Sequence, residues 1–158
     1  MNYVKKISWC KQKKGGIKLI QPNENLSEEY MQNAEESMKV LRAVSTTKSN
    51  MWIATTKYYM EYFAIYALLM KLGIKCEIHE CTLELVIFLE KETIVKQGTY
   101  ALLVEDKELR IDNQYYLKNK PVHIDFDELA DFLISVKQVI RGLSGERIGE
   151  IRKKLQIL

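Results

Sequence analysis

Proline and glycine are scarce in this 158-residue chain, two and seven residues, so few positions force a turn and long regular elements are expected. Cysteine is also sparse, and odd in number: Cys10, Cys76 and Cys81 do not make the even set of a secreted disulfide framework. No cationic leader followed by an apolar stretch opens the sequence. A reducing, cytoplasmic setting with inert core thiols is therefore the expectation. Long apolar runs are missing. The longest, Tyr62 to Met70, has nine residues, well short of the roughly 20 that cross a bilayer, so no membrane partner is expected. Net charge is small, +3, too little to mark a nucleic-acid protein by itself. Two histidines do not exclude Ser-His-Asp catalysis, but nothing marks a nucleophile elbow.

What remains is an ordinary globular composition, 47% apolar and 28% charged, long enough for one domain with a real core. The charge is uneven. Residues 1–24 hold Lys5, Lys6, Lys11, Lys13, Lys14 and Lys18 against Glu24, a local +5, which leaves −2 for the remainder. Residues 1–25 thus read as a basic arm, partly extended and turning at Gly15-Gly16, whose apolar residues dock on the body formed by residues 26–158.

Periodicity fills that body with helices. Ser27 is a candidate cap for a helix over 27–45, with Tyr30, Ala34, Met38 and Leu41 on one face. Met51 to Leu72 is apolar around most of its circumference and stops at Gly73, so it needs cover on nearly every side from neighbours or a second copy. Lys57 and Glu61, one turn apart, interrupt it as a mutually satisfied rim pair. A third helix, from His79 to about Glu92, is expected to pack along the second. A fourth follows between Tyr100 and Asn119. Asp125 caps a fifth that ends near Gly142, and Ser144 opens a sixth with Arg147, Arg152, Lys153 and Lys154 outside. The expected fold is all-α, an antiparallel up-and-down bundle of five to six helices.

Several residues resemble those of a known family. Ala34-Glu35-Glu36-Ser37, the tandem Tyr58-Tyr59 followed by Phe63 and Ala67-Leu68-Leu69, Gly73-Ile74, a His-bearing third helix, Arg110 with Gln114-Tyr115-Tyr116, and Ala130-Asp131-Phe132-Leu133 together resemble the HEPN superfamily of helical bundles over roughly Leu26 to Leu143. That resemblance implies a homodimer through the second and third helices. It implies a nucleotide or RNA ligand and, in prokaryotic toxin–antitoxin-like systems, a minimal nucleotidyltransferase partner. Many members are ribonucleases that carry an Arg followed after four to six residues by a His. No arginine here has that partner: Tyr115, Tyr116 and Leu117 follow Arg110 at the corresponding distances. The resemblance therefore implies binding in preference to cleavage.

Candidate ligand-binding residues are Lys57, Tyr58, Glu61, Glu77, His79, Arg110 and Tyr115. Tyr58, Tyr62 and Tyr115 lie on secondary faces open to a cleft, whereas Tyr59 and Tyr66 fall on the core stripe. Arg110 and Tyr115 could bind together, but a phenol is a poor proton shuttle at neutral pH. A non-standard ribonuclease site from His79, Glu77 and Arg110 is the enzymatic alternative, and a purely structural interaction bundle the other. Cys76, His79 and Cys81, with Cys10 or His123 as a fourth ligand, have no recognised zinc spacing. Neither metal nor cofactor is expected.

Overall fold

The computed structural model describes residues 2–158, which form seven α-helices and one short antiparallel ladder: α1 (Tyr3–Gln12), β1 (Lys18–Leu19), α2 (Glu24–Ser45), α3 (Asn50–Leu72), β2 (Ile74–Lys75), α4 (His79–Lys91), α5 (Thr99–Gln114), α6 (Phe126–Gly142) and α7 (Gly145–Ile157). Among these residues no helix is long and apolar enough to cross a membrane. The bundle is all-α, as its periodicity dictates.

The basic arm is the first correction. Its second half is extended and turns at Gly15-Gly16 as expected, but its first half is the helix α1: the Asn2 side chain accepts from the amide of Val4, and Ile7 and Cys10, three apart, bury one face while Lys5 and Trp9 stay outside. The turn after it requires glycine. Gly15 has φ +75°, and a Cβ on Gly16 would fall 1.8 Å from the Cys10 carbonyl oxygen. The chain then pairs β1 with β2, Lys18 opposite Lys75.

Ser27 is the second. α2 starts at Asn23, whose side chain accepts from the amide of Leu26, one turn earlier than the Ser27 cap. Ser27 is buried instead, donating its hydroxyl to the Ala67 carbonyl at 2.7 Å, so it joins α2 to α3 rather than starting a helix.

α3 is the central element, packed by α2, α5, α6, β2 and α7. The chain itself covers the apolar circumference, and burial does not call for a second copy. α4 makes its close backbone approaches to α1 and α5 and meets α3 through side chains, with His79 and Thr82 against Tyr58 and Tyr62. Asp125 and Ser144 cap α6 and α7, and Gly73 ends α3 at φ +68°. Arg152, expected outside, turns inward. Its Nη1 donates to the carbonyls of Ile20, Leu72 and Gly73 at 2.7, 2.9 and 2.7 Å, placing a cation against the negative end of α3.

The cysteines are a further correction. Cys10 on α1 and Cys81 on α4, both buried, form a disulfide with Cα atoms 5.7 Å apart, within the span a bridge requires. Cys76 remains a buried thiol that donates to the Ile78 carbonyl. An odd count conceals one bridge plus one free thiol.

Candidate functional site

α5 presents a stripe of buried residues at helical spacing: Thr99, Leu103, Asp106, Arg110 and Asn113. Four of the five are polar, and they face α3, where Lys57, Tyr58 and Glu61 occupy the same end of the helix pair. Two distinct clusters result.

The deeper one is ionic. Lys57 Nζ donates to both oxygens of Asp106, at 2.7 and 2.6 Å, and stands 3.9 Å from Glu61. The predicted rim pair is therefore neither at a rim nor mutually satisfied. Lys57 is committed to a carboxylate 49 positions away, and Glu61 is 0% exposed with both oxygens lacking a hydrogen-bond partner. Burial, then the neighbouring Asp106 carboxylate, pushes the Glu61 carboxyl well above its ordinary range, and Lys57 only partly offsets them. The protonated form of Glu61 is thereby favoured.

The shallower cluster is aromatic and cationic. Tyr58 is 0% exposed and Tyr62 is also buried, while Tyr59 is partly open; the expected openness of Tyr58 and Tyr62 and burial of Tyr59 are reversed. Successive helix positions differ by about 100°, and α4 closes over the face that holds Tyr58 and Tyr62. His79, at the start of α4, lies flat on Tyr62, with ring centroids 4.4 Å apart at 7°, and its Nδ1 is 3.2 Å from the Tyr58 hydroxyl. Burial, then the Arg110 and Lys107 charges, lower the His79 pKa, so the imidazole is neutral at pH 7. Burial pushes the Tyr62 phenol up to about 12 and raises Tyr58 as well. Both hydroxyls stay protonated.

Arg110 joins the two sides. Its Nη1 donates to the Tyr59 hydroxyl at 2.8 Å, and its guanidinium carbon lies 5.2 Å from the Tyr58 and Tyr59 ring centroids and 5.9 Å from that of Tyr115. It is only 9% exposed, yet among the described residues it has no carboxylate within ion-pair distance, and its Nε has no partner. One turn on, the buried Gln114 Oε1 is unpartnered too. A cation over rings is partly stabilised by their faces. An unfilled buried donor and acceptor are not.

Of the seven predicted residues, Tyr58, His79, Arg110 and Tyr115 come together. Lys57 and Glu61 form the sealed triad beside them. Glu77 does not join: it is exposed, pairs with Lys75 at 2.8 Å, and its amide donates to the Gly15 carbonyl. Tyr59 and Asp106 were missed as members. The four- and three-residue spacing of Asp106, Arg110 and Asn113 behind Leu103 carried the signal, but only to a reading that weights polar stripes as well as apolar ones. Cys81, part of the zinc alternative, is taken by the disulfide, and His123 is exposed elsewhere.

A groove of about 510 Å³ lies apart from this cluster, between α2 and α6. Its charges are largely paired across it, Lys71 with Glu24 and Lys137 with Glu35, so it offers an anion little. The Arg110 cluster is the better site on chemical grounds. No protein-family model matches this chain, and no curated protein or solved structure shows significant similarity to it.

Proposed function

We propose that this protein is a HEPN-type helical module that binds a nucleotide or the nucleotide units of RNA at the Arg110 cluster. The observation that carries the reading is the buried guanidinium of Arg110, with no carboxylate partner and a free Nε. A buried cation without a counter-ion is costly, and a phosphate supplies both the missing charge and acceptors for the planar fork. Tyr59 and Tyr115 flank the same guanidinium and offer faces to a base, while Gln114 Oε1 can accept from its edge. Binding is favoured over turnover because His79, although neutral and near Arg110, is stacked flat on Tyr62, and Glu77 is too far out to serve as its partner. The ribonuclease alternative therefore keeps His79 and Arg110 and loses its third member.

The same resemblance brings the homodimer through α3 and α4, the nucleotidyltransferase partner and the cytoplasmic setting into the proposal. Both α3 and α4 are largely covered by their own chain, so a dimer through them would have to use their few open residues, such as Trp52, Glu80 and Lys91. A cytoplasmic setting would usually hold Cys10 and Cys81 reduced. Calorimetry with uridine 5′-monophosphate and a short oligouridylate tests the core of the proposal. Heat of binding is expected for the native chain and its loss in Arg110→Gln, with the helical circular-dichroism spectrum unchanged. No heat from any nucleoside monophosphate or short RNA would refute it. Cleavage of labelled RNA that disappears in His79→Ala would favour the enzyme.

A further inference from the structure

The segment after α5 is a built loop, not slack chain. Asn113, 2% exposed, clasps it with both ends of its amide: Nδ2 donates to the Lys120 carbonyl at 2.9 Å and Oδ1 accepts from the Lys120 amide at 2.6 Å. The Lys118 amide donates to the Asp112 carbonyl, and Asn50 at the start of α3 donates to Asn119. Within this clasp Leu117 and Asn119 are held at φ +51° and +49°, a region a leucine rarely occupies. A fold that fixes such a backbone and yet leaves Tyr115, Tyr116 and Leu117 63, 68 and 76% exposed presents those side chains outward. Trp52, 56% exposed, lies at the same end of the bundle, where α3 begins. The charge there is positive: Lys118 and Lys120 share the single Asp112 carboxylate, and Lys48 is exposed nearby. Lys118 sits 5.5 Å from the Tyr116 ring centroid, and Arg110 links the loop to the site through Tyr115.

We propose that the loop from Tyr115 to Lys120, together with Trp52, extends the Arg110 site into a platform for single-stranded polynucleotide. Tyr115 and Tyr116 take unpaired bases, and Arg110 and the loop lysines take the intervening phosphates. The proposal rests on the nucleotide reading of Arg110 and adds the length and strandedness of the ligand. Aromatic faces can stack only on bases that are not already stacked inside a duplex, and the clasped loop offers them without an ordering cost. A second copy is a poor occupant, because its own lysines would face these.

The test compares uridine 5′-monophosphate, a twelve-residue oligouridylate, oligothymidylate of that length and a twelve-base-pair RNA duplex by calorimetry, on the native chain, Tyr116→Ala and Trp52→Ala. These variants alter exposed side chains outside the Arg110 cluster, and circular dichroism checks that each is folded. The oligouridylate is expected to bind at least tenfold tighter than the monophosphate, and the duplex more weakly than the single strand. Tyr116→Ala is expected to lose about tenfold for the oligonucleotide and nothing for the monophosphate. Oligothymidylate binding as well as oligouridylate would make the ligand single strands of either sugar; weaker binding would restrict it to RNA. The platform is refuted, with the Arg110 reading intact, if the monophosphate binds through Arg110 while the oligonucleotide gains nothing and Tyr116→Ala is silent, or if the duplex binds as tightly. If neither the monophosphate nor any oligonucleotide binds, the Arg110 reading fails and the platform with it.

Discussion

Breaking the Cys10–Cys81 bridge should cost this protein a large share of its stability. The bridge closes a loop across 71 positions, and the chain-entropy relation for a loop of that length gives about 4 kcal/mol of destabilised unfolded state. Domains of this size shift in Tm by roughly 2–4 °C per kcal/mol, so reduction should lower the melting temperature by about 8–16 °C. The bridge joins α1 to α4, whose other cross-links include the Lys6–Glu84 ion pair at 2.8 Å, a half-exposed contact expected to contribute little. Two measurements check the reasoning. Thiol titration in denaturant without reductant should count one free sulfhydryl, Cys76, and three after reduction. Melting of the native protein, the reduced protein and the Cys10→Ala/Cys81→Ala variant should then rank the last two well below the first. Three thiols before reduction would show that the bridge does not form. One thiol with melting points within about 2 °C would show that α1 is held without it.

Two further perturbations probe the interior. Because the folded-state pKa of Glu61 is raised by burial and by Asp106, its contribution to stability is fully present below the unfolded value, near 4.3, and is lost as pH rises through the folded pKa. Glu61→Gln, which imitates the protonated acid, should therefore melt higher than the native protein at pH 8 and show a flatter dependence of urea midpoint on pH between 5 and 8; an unchanged slope would refute the assignment. Arg152→Ala removes the donor shared by three carbonyls at the end of α3, and should cost about 2–3 kcal/mol in urea unfolding. A loss under about 0.5 kcal/mol would mean that water replaces the guanidinium without penalty.

The helical bundle was legible because it is written locally. Apolar spacing and the caps at Asp125, Ser144 and Gly73 need no knowledge of what lies across the core, and α2 through α7 followed from them to within a few residues, except that α5 stops at Gln114 instead of running on towards Asn119. α1 was not, because its two buried residues are too few to show a period among six nearby lysines, and its cap, Asn2, stands at the edge of the sequence. The pairing of Lys57 with Asp106 was invisible for another reason: it depends on which faces of α3 and α5 meet, and the local alternative at Glu61 had the favourable spacing. The same ignorance of neighbours inverted Tyr58 and Tyr59. His79, Arg110 and Tyr58, singled out from the sequence, do lie together in the structure, since a polar or cationic residue amid aromatic helix faces has few ways to be accommodated.

The inward turn of Arg152 has a consequence for the order in which the molecule is assembled. The most apolar helix is complete at residue 72, but the cation that quiets its final carbonyls is made 80 positions later. A nascent chain emerging from the ribosome therefore carries its central rod with a raw end until α7 has been translated. Maturation of the core should wait for α7, and growing chains halted before it should remain open to proteases that the finished protein resists.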